Sequence, residues 1–322
     1  MTLTWRLTEV DATGKGYKKR LGGLLLLAIL VSGCSSAAAG QGDGAGSLVI
    51  RDAADREVLL PGAPERIVAL GNGEVDIVYA LGGEVVGRPE DNGGLPEAVQ
   101  DVPIVGSVHT VDLEKIAALR PDVVLGNEPI NRGDIPQLEG IGAKVVLTEA
   151  NSIADIRDQI KLIGQLTQRE ERASALTAEL DAKLAEWSGR TGAERTALMV
   201  YGAPGTYLAA LPNSLAGDLL ETAGGVNIAS QFPRMQSYPQ YAQLNTERVV
   251  EAEPDVIFIM THGNPEEVQE GFIREMEDNP AWSSLAAVRE GRIHTLPADL
   301  FGTNPGTRII DALQLLGELL EP

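Results

Sequence analysis

Glu114-Lys-Ile-Ala-Ala-Leu-Arg-Pro-Asp-Val-Val124 returns, at an offset of 133 residues, as Glu247-Arg-Val-Val-Glu-Ala-Glu-Pro-Asp-Val-Ile257. Both stretches run an acidic helix start, a Pro-Asp stop and a β-branched run in the same order. A second echo accompanies them: Ala80-Leu81-Gly82-Gly83 and Thr222-Ala223-Gly224-Gly225 each close an apolar helical stretch. Two halves built to one plan predict two related α/β lobes. A pair of lobes predicts a cleft in which a ligand is held.

Working outward, apolar runs bounded by Gly and Pro alternate with helical patterns. Leu48-Val-Ile and Val58-Leu-Leu flank Arg51–Arg56 as an opening hairpin, and strands are expected at 67–70, 84–87, 103–105, 122–125 and 144–148. Helices fall at 74–81, 112–119 and 135–141. Such alternation means mostly parallel sheets with covered faces. In residues 151–190, Ile153, Ile156, Ile160 and Ile163 recur at helical spacing, and Ala173, Leu176, Leu180, Leu184 and Trp187 follow on one face. With no Pro and one interior Gly, this segment reads as a nearly continuous helical spine. The second lobe repeats the alternation, with strands at 196–201, 206–210, 256–260 and 291–295 and a closing helix at 305–320. The expected division is an N-terminal lobe at 48–150, the spine at 151–190 and a C-terminal lobe at 191–322.

The N-terminus reads differently. Lys15, Lys18, Lys19 and Arg20 precede an apolar run, Leu21–Val31, which ends in Val31-Ser-Gly-Cys34. That run is too short to span about 30 Å of hydrocarbon but suits a secretory signal over 1–33. Cys34 is the single cysteine of the chain, so no internal disulfide is possible and a reactive role for it gains weight. Residues 35–47, small and polar, form a flexible tether after it. Residues 1–33 carry five basic and two acidic side chains, so the remainder has 21 basic against 44 acidic residues and a formal charge of −23. That excess opposes nucleic acid or an anionic membrane surface as partner.

Three histidines occur. His109 and His262 each lie just past the carboxyl end of an expected parallel strand, where open α/β sheets bind ligands, whereas His294 lies inside one. A hydrogen-bonded imidazole is the plain alternative for each. Two imidazoles facing across a cleft could hold one iron from both sides and leave its equatorial positions to a porphyrin. A zinc site from His109, His262, His294 and a carboxylate is weaker, because no closely spaced ligand pair exists. Tyr207, Tyr238 and Tyr241 lie on or beside loops expected at the cleft, where they could stack on a planar ligand; packing at strand ends is the alternative. No G-x-S-x-G, Walker or G-x-G-x-x-G signature opens a helix after a strand, and Gly71-Asn-Gly73 reads as a tight turn at the cleft.

The segments Arg66-Ile-Val-Ala-Leu, Leu119-Arg-Pro-Asp-Val-Val-Leu, Ala223-Gly-Gly-Val-Asn and Asn279-Pro-Ala-Trp resemble the substrate-binding lipoproteins that serve ABC importers of iron complexes, haem and cobalamin. Gly202-Ala-Pro-Gly-Thr-Tyr-Leu208, Thr261-His-Gly-Asn-Pro-Glu-Glu-Val268 and Leu300-Phe-Gly-Thr-Asn304 are most similar to the haem-binding lipoproteins of the Gram-positive Isd uptake system. The resemblance implies two Rossmann-like lobes joined by a long backbone helix, the class III periplasmic-binding-protein fold. It also implies a receptor, not an enzyme, anchored through lipidated Cys34 on the outer face of the cytoplasmic membrane. Haem is then the transported ligand, with a ferric siderophore or cobalamin as the alternative and a chelatase-like enzyme on the same scaffold a weaker one. His262 falls on the family's iron-binding histidine, and His109 stands where those proteins carry an axial Met. Glu114 and Glu247 match the acids that dock on permease arginines. First-turn acids favoured by the helix dipole explain them equally well. The implied partners are an ABC permease, its ATPase and an upstream haem-donor surface protein, with the receptor itself a monomer.

Overall fold

The repeated phrase folds twice into the same unit. The computed structural model describes residues 47–321 apart from 92, 188–194, 204–205 and 262–264. These residues belong to one compact unit, Ala45–Pro322. The signal, Cys34 and the tether up to residue 46 lie outside the described residues.

The chain opens with the expected antiparallel hairpin of β1 (Leu48–Arg51) and β2 (Glu57–Leu60). Then come β3 (Ile67–Ala69), α1 (Asn72–Ala80), a small hairpin of β4 (Gly106–Ser107) and β5 (Thr110–Val111), and α2 (Leu113–Leu119). The first lobe continues with β6 (Val123–Asn127), α3 (Ile135–Gly140) and β7 (Lys144–Thr148). Its sheet is parallel, in the order β3-β6-β7. The strands expected at 84–87 and 103–105 shrink to single parallel rungs, Val68 with Gly87 and Arg88 with Ile104. Pro89 and Pro103 supply no amide for a longer ladder.

Two helices follow, α4 (Ile153–Leu166) and α5 (Glu170–Trp187), where the sequence reads as one nearly continuous helix. The break needs neither Pro nor Gly. The Thr167 hydroxyl donates to the Ile163 carbonyl, Gln168 takes a left-handed φ of 54°, and the Arg169 amide closes back on the Gly164 carbonyl at 2.7 Å. The helices then lie antiparallel. Gly164 meets Ala173 so closely that a methyl on Gly164 would overlap it, and Arg157 pairs with Asp181 at 2.8 Å further along.

The second lobe contains β8 (Thr196–Ala203), β9 (Thr206–Ala210), α6 (Leu215–Thr222), β10 (Val226–Asn227), β11 (Tyr241–Gln243), α7 (Thr246–Ala252) and β12 (Val256–Met260). After it come α8 (Pro265–Asp278), α9 (Pro280–Ser283), α10 (Ala286–Arg289), β13 (Ile293–Thr295), α11 (Ala298–Phe301) and α12 (Ile309–Leu320). The sheet order is β11-β9-β8-β12-β13, with β10 also on β8. β8, β12 and β13 run parallel, and β9 runs antiparallel to both its neighbours, β8 and β11.

The duplication is physical down to single hydrogen bonds. Asp112 caps α2 by accepting from the Lys115 amide, and Asn245 caps α7 by accepting from the Arg248 amide. Both helices end on a left-handed residue before proline, Arg120 at φ 46° and Glu253 at φ 44°. The next acid then turns its carboxylate on the neighbouring strand: Asp122 accepts from the Arg66 amide at 2.8 Å and Asp255 from the Thr196 amide at 2.9 Å. The Gly-Gly echoes match too, since Gly83 bonds back to Val78 and Gly225 to Leu220.

Alternate strand residues serve different cores, as parallel strands covered on both faces require. Val123 and Leu125 of β6 and Val256, Phe258 and Met260 of β12 join Ile156, Ile160 and Leu316 in one core that runs through both lobes. Val124 packs into a separate outer cluster of the first lobe, and Ile257 and Ile259 into one of the second.

Candidate functional site

The ends of the two sheets meet at one loop. Gly302 lies against the carbonyl of Thr261, the residue after β12, while the Asn304 amide covers Gly73 in the first turn of α1. From there a buried polar chain crosses the interface. Asn304 Nδ2 donates to Gln159 Oε1 at 2.7 Å, and Gln159 Nε2 donates to Glu74 Oε1 at 2.9 Å. The Thr148 hydroxyl, at the end of β7, lies at hydrogen-bond distance, 2.5 Å, from the same Glu74 oxygen. Beside it, the Thr307 amide and hydroxyl donate to Asp76 Oδ2 at 2.6 and 2.7 Å, and Arg308 pairs with Asp299 at 2.9 Å. Asn72, Asp76, Gly94, Asn304 and Arg308 help line a cavity of about 10 Å³, and Asn72 Oδ1 is buried with no hydrogen-bond partner among the described residues.

Burial governs the acids here. Glu74 is 1% exposed. Burial pushes its carboxyl up from the ordinary value, against bonds from Thr148, its own amide and Gln159. Burial also raises Asp76, although both Thr307 donors and Arg308 pull it back. On α6, burial raises Asp218, which accepts from the Ile153 amide at the start of α4 at 2.7 Å. Sequence reasoning passed over this network. Its signals were an acid inside the apolar stretch Glu74-Val-Asp-Ile-Val78 and the Asn304 that ends Leu300-Phe-Gly-Thr-Asn.

The residues singled out from sequence are placed as follows. His109 is exposed in the turn between β4 and β5, where its amide donates to Ser107 Oγ at 3.3 Å. His262 lies outside the described residues, between buried Thr261 and α8. His294 sits within β13, its ring 5.9 Å from that of Phe258; burial and Arg195 lower its pKa. Among the described residues no group of three or more His, Cys, Asp or Glu could hold a metal ion.

The tyrosines divide between the faces of the second sheet. Tyr207 packs its ring 4.8 Å from Phe272 of α8, in the outer cluster. Tyr241 packs 5.5 Å from Tyr201 against the core shared by both lobes, and burial together with the neighbouring tyrosine pushes Tyr241 up to about 12. Tyr238 is 56% exposed. Tyr201 thus joins Tyr241, and Tyr207 stands apart. Glu114 and Glu247 occupy the same position in the first turns of α2 and α7, both exposed.

A sequence profile of the periplasmic binding proteins matches residues 67–300. The chain belongs to this family. Members of this family are substrate-binding proteins of transport systems, not enzymes. This periplasmic binding protein is 28% identical over 240 residues to the high-affinity heme uptake system protein IsdE of Staphylococcus aureus, covering 74% of this chain and 80% of the relative. The crystal structure of S. aureus IsdE complexed with heme matches with a TM-score of 0.69 at 26% identity, over 80% of this chain and 99% of that one. An ABC transporter substrate-binding protein from Listeria monocytogenes matches with 0.69 at 29%, over 79% and 97%. An Fe3+-hydroxamate transport protein from Saccharomonospora viridis matches with 0.69 at 25%, over 85% and 99%.

Proposed function

We propose that this periplasmic binding protein is a lipid-anchored receptor that captures haem between its lobes and passes it to an ABC importer. The likeness to the staphylococcal heme uptake protein and its heme complex carries the reading. In it, His109 from the β4–β5 turn and His262 from the loop before α8 are the two axial ligands of the iron. Replacing an axial Met by His favours the ferric state. Tyr238 and Tyr241 contribute to the pocket wall, whereas Tyr207 packs on Phe272 in the outer cluster. Glu114 and Glu247, one on each lobe at matching helix starts, offer paired carboxylates to arginines of the permease, which works with its ATPase. Lipidation of Cys34 holds the monomeric receptor at the outer face of the cytoplasmic membrane, within reach of an upstream haem donor.

The test is a haemin titration of the full-length chain in detergent, followed by visible absorption. A saturable one-to-one Soret shift with low-spin bands, lost in His109→Ala and in His262→Ala, is the expected result. A second reading, capture of a ferric siderophore, draws on the likeness to the Fe3+-hydroxamate transport protein. It requires no Soret shift and no dependence on either histidine.

A further inference from the structure

The interface between the lobes contains a buried acid with no cation beside it. None of the ion pairs among the described residues includes Glu74. The elements packed against it present neutral groups: Thr148 from β7, Gln159 from α4 and the Gly71 turn, whose missing Cβ leaves room for Glu74 Oε2. The charged groups nearest to it have other partners. Asp76 accepts from Thr307, Glu149 from the Asn151 side chain and Asp155 from the Asn151 amide; Asp158 pairs with Lys161, and Arg308 pairs with Asp299 and Asp311. An isolated carboxylate is expensive in such a place, and a neutral acid is not.

The hydrogen positions point the same way. Thr148 Oγ1 stands 2.5 Å from Glu74 Oε1 and 3.2 Å from the Gly126 carbonyl oxygen. One hydroxyl proton serves two acceptors only by division between them, which weakens both contacts. Both contacts are satisfied when Glu74 carries the proton, gives it to Thr148 Oγ1, and Thr148 gives its own to Gly126. Gln159 Nε2 still donates to the remaining lone pair, and its Oε1 still receives Asn304. Burial raises the Glu74 carboxyl, in agreement with this arrangement.

We propose that Glu74, Gln159 and Asn304 are positioning residues that form a hydrogen-bonded strut between the lobes and set their separation, with Glu74 taking part as the neutral acid that donates to Thr148. The strut ties the helix after β3 to the loop that touches the end of β12, so it holds the two ligand-bearing ends at a fixed spacing. Its bearing on haem capture rests on the reading above; its existence does not.

The experiment therefore contains no haem. Full-length protein with Cys34→Ser has no other cysteine, so spin labels at Ala118→Cys on α2 and Glu251→Cys on α7, both exposed, report the distance between lobes by pulsed dipolar spectroscopy. The expected result is one narrow distance distribution in this parent and its loss in Asn304→Ala and Glu74→Ala. In Glu74→Gln no single side-chain atom can both donate to Thr148 and accept from Gln159 Nε2, so the distribution broadens as in Glu74→Ala. In the infrared at pH 7 the parent carries a protonated-carboxyl C=O stretch that Glu74→Gln removes. A narrow distribution in Asn304→Ala or in Glu74→Gln overturns the strut. A parent spectrum without a band sensitive to Glu74→Gln overturns the neutral acid. Asn304→Ala alters a half-buried residue, so the test stands even if Glu74→Ala fails to fold. None of these outcomes changes the haemin titration expected of the parent.

Discussion

Replacing Gly73 by alanine sets two known effects against each other. Gly73 is the second residue of α1, and in a helix interior alanine is favoured over glycine by about 1 kcal/mol, less in the first turn. Against this, a Cβ at Gly73 would overlap the Cγ and Nδ2 of Asn304. Forcing a methyl into packed space costs about 1–3 kcal/mol, and displacing Asn304 from Gln159 forfeits a buried hydrogen bond of about 1 kcal/mol. The steric and hydrogen-bond costs win, leaving Gly73→Ala less stable by about 1–3 kcal/mol. For a chain of this size that is a fall in Tm of about 2–6 °C. The sign is expected to reverse when the obstacle is removed. In an Asn304→Ala background the methyl has space, and Gly73→Ala becomes neutral or stabilising by up to about 1 kcal/mol. Calorimetric unfolding of the four proteins of this cycle measures the coupling between the two positions. If Gly73→Ala costs the same with and without Asn304, the contact between the lobes is not what glycine serves at position 73, and the reasoning fails.

Three further outcomes follow from the same geometry. Burial raises Glu74, Asp76, Asp218 and Glu221 above their unfolded values, so the folded chain binds more protons than the unfolded one between those values and the raised ones, and stability falls as pH rises through that window. Tm is expected to be higher near pH 5.5 than near pH 8, and a scanning-fluorimetry profile that climbs over this range would contradict it. Asp255 behaves in the opposite sense. Burial pushes it up, but the Thr196 amide and hydroxyl, with Arg195 and Arg292, hold it below its ordinary value, so its contribution is present at neutral pH and lost as pH falls through the depressed folded value. At pH 7, Asp255→Ala is expected to cost about 1–3 kcal/mol by stripping the Thr196 amide of its acceptor, which urea unfolding measures. Glu114→Ala and Glu247→Ala alter exposed positions and should leave haemin titration unchanged while slowing import in reconstituted vesicles; unaltered import in the double variant would remove the docking role.

Much of the architecture was legible because it is encoded locally. The Glu-to-Pro-Asp phrase carries its own cap, stop and strand start, so α2 with β6 and α7 with β12 appear where the repeat predicts them. The helix break at Thr167–Arg169 was not legible: it depends on a hydroxyl-to-carbonyl bond and a left-handed glutamine that no Pro or Gly marks, and the antiparallel contact of Gly164 with Ala173 holds it. The pairing of the tyrosines was hidden for another reason. Spacing in sequence places Tyr207 near the cleft loops, but the register of β9 on β8 pairs Tyr207 with Gly202 and Leu208 with Tyr201, which sends Tyr207 to the outer face.

The sequence by itself determined the two-lobe plan, the order of most strands and helices, the acidic charge and the family resemblance. Each of these rests on residues close together in the chain or on simple counts. Only the tertiary structure decided that Glu74, Thr148, Gln159 and Asn304 share one hydrogen-bonded chain. Those residues are as many as 230 positions apart, and their chemistry appears only when folding removes the water that would otherwise solvate each of them separately.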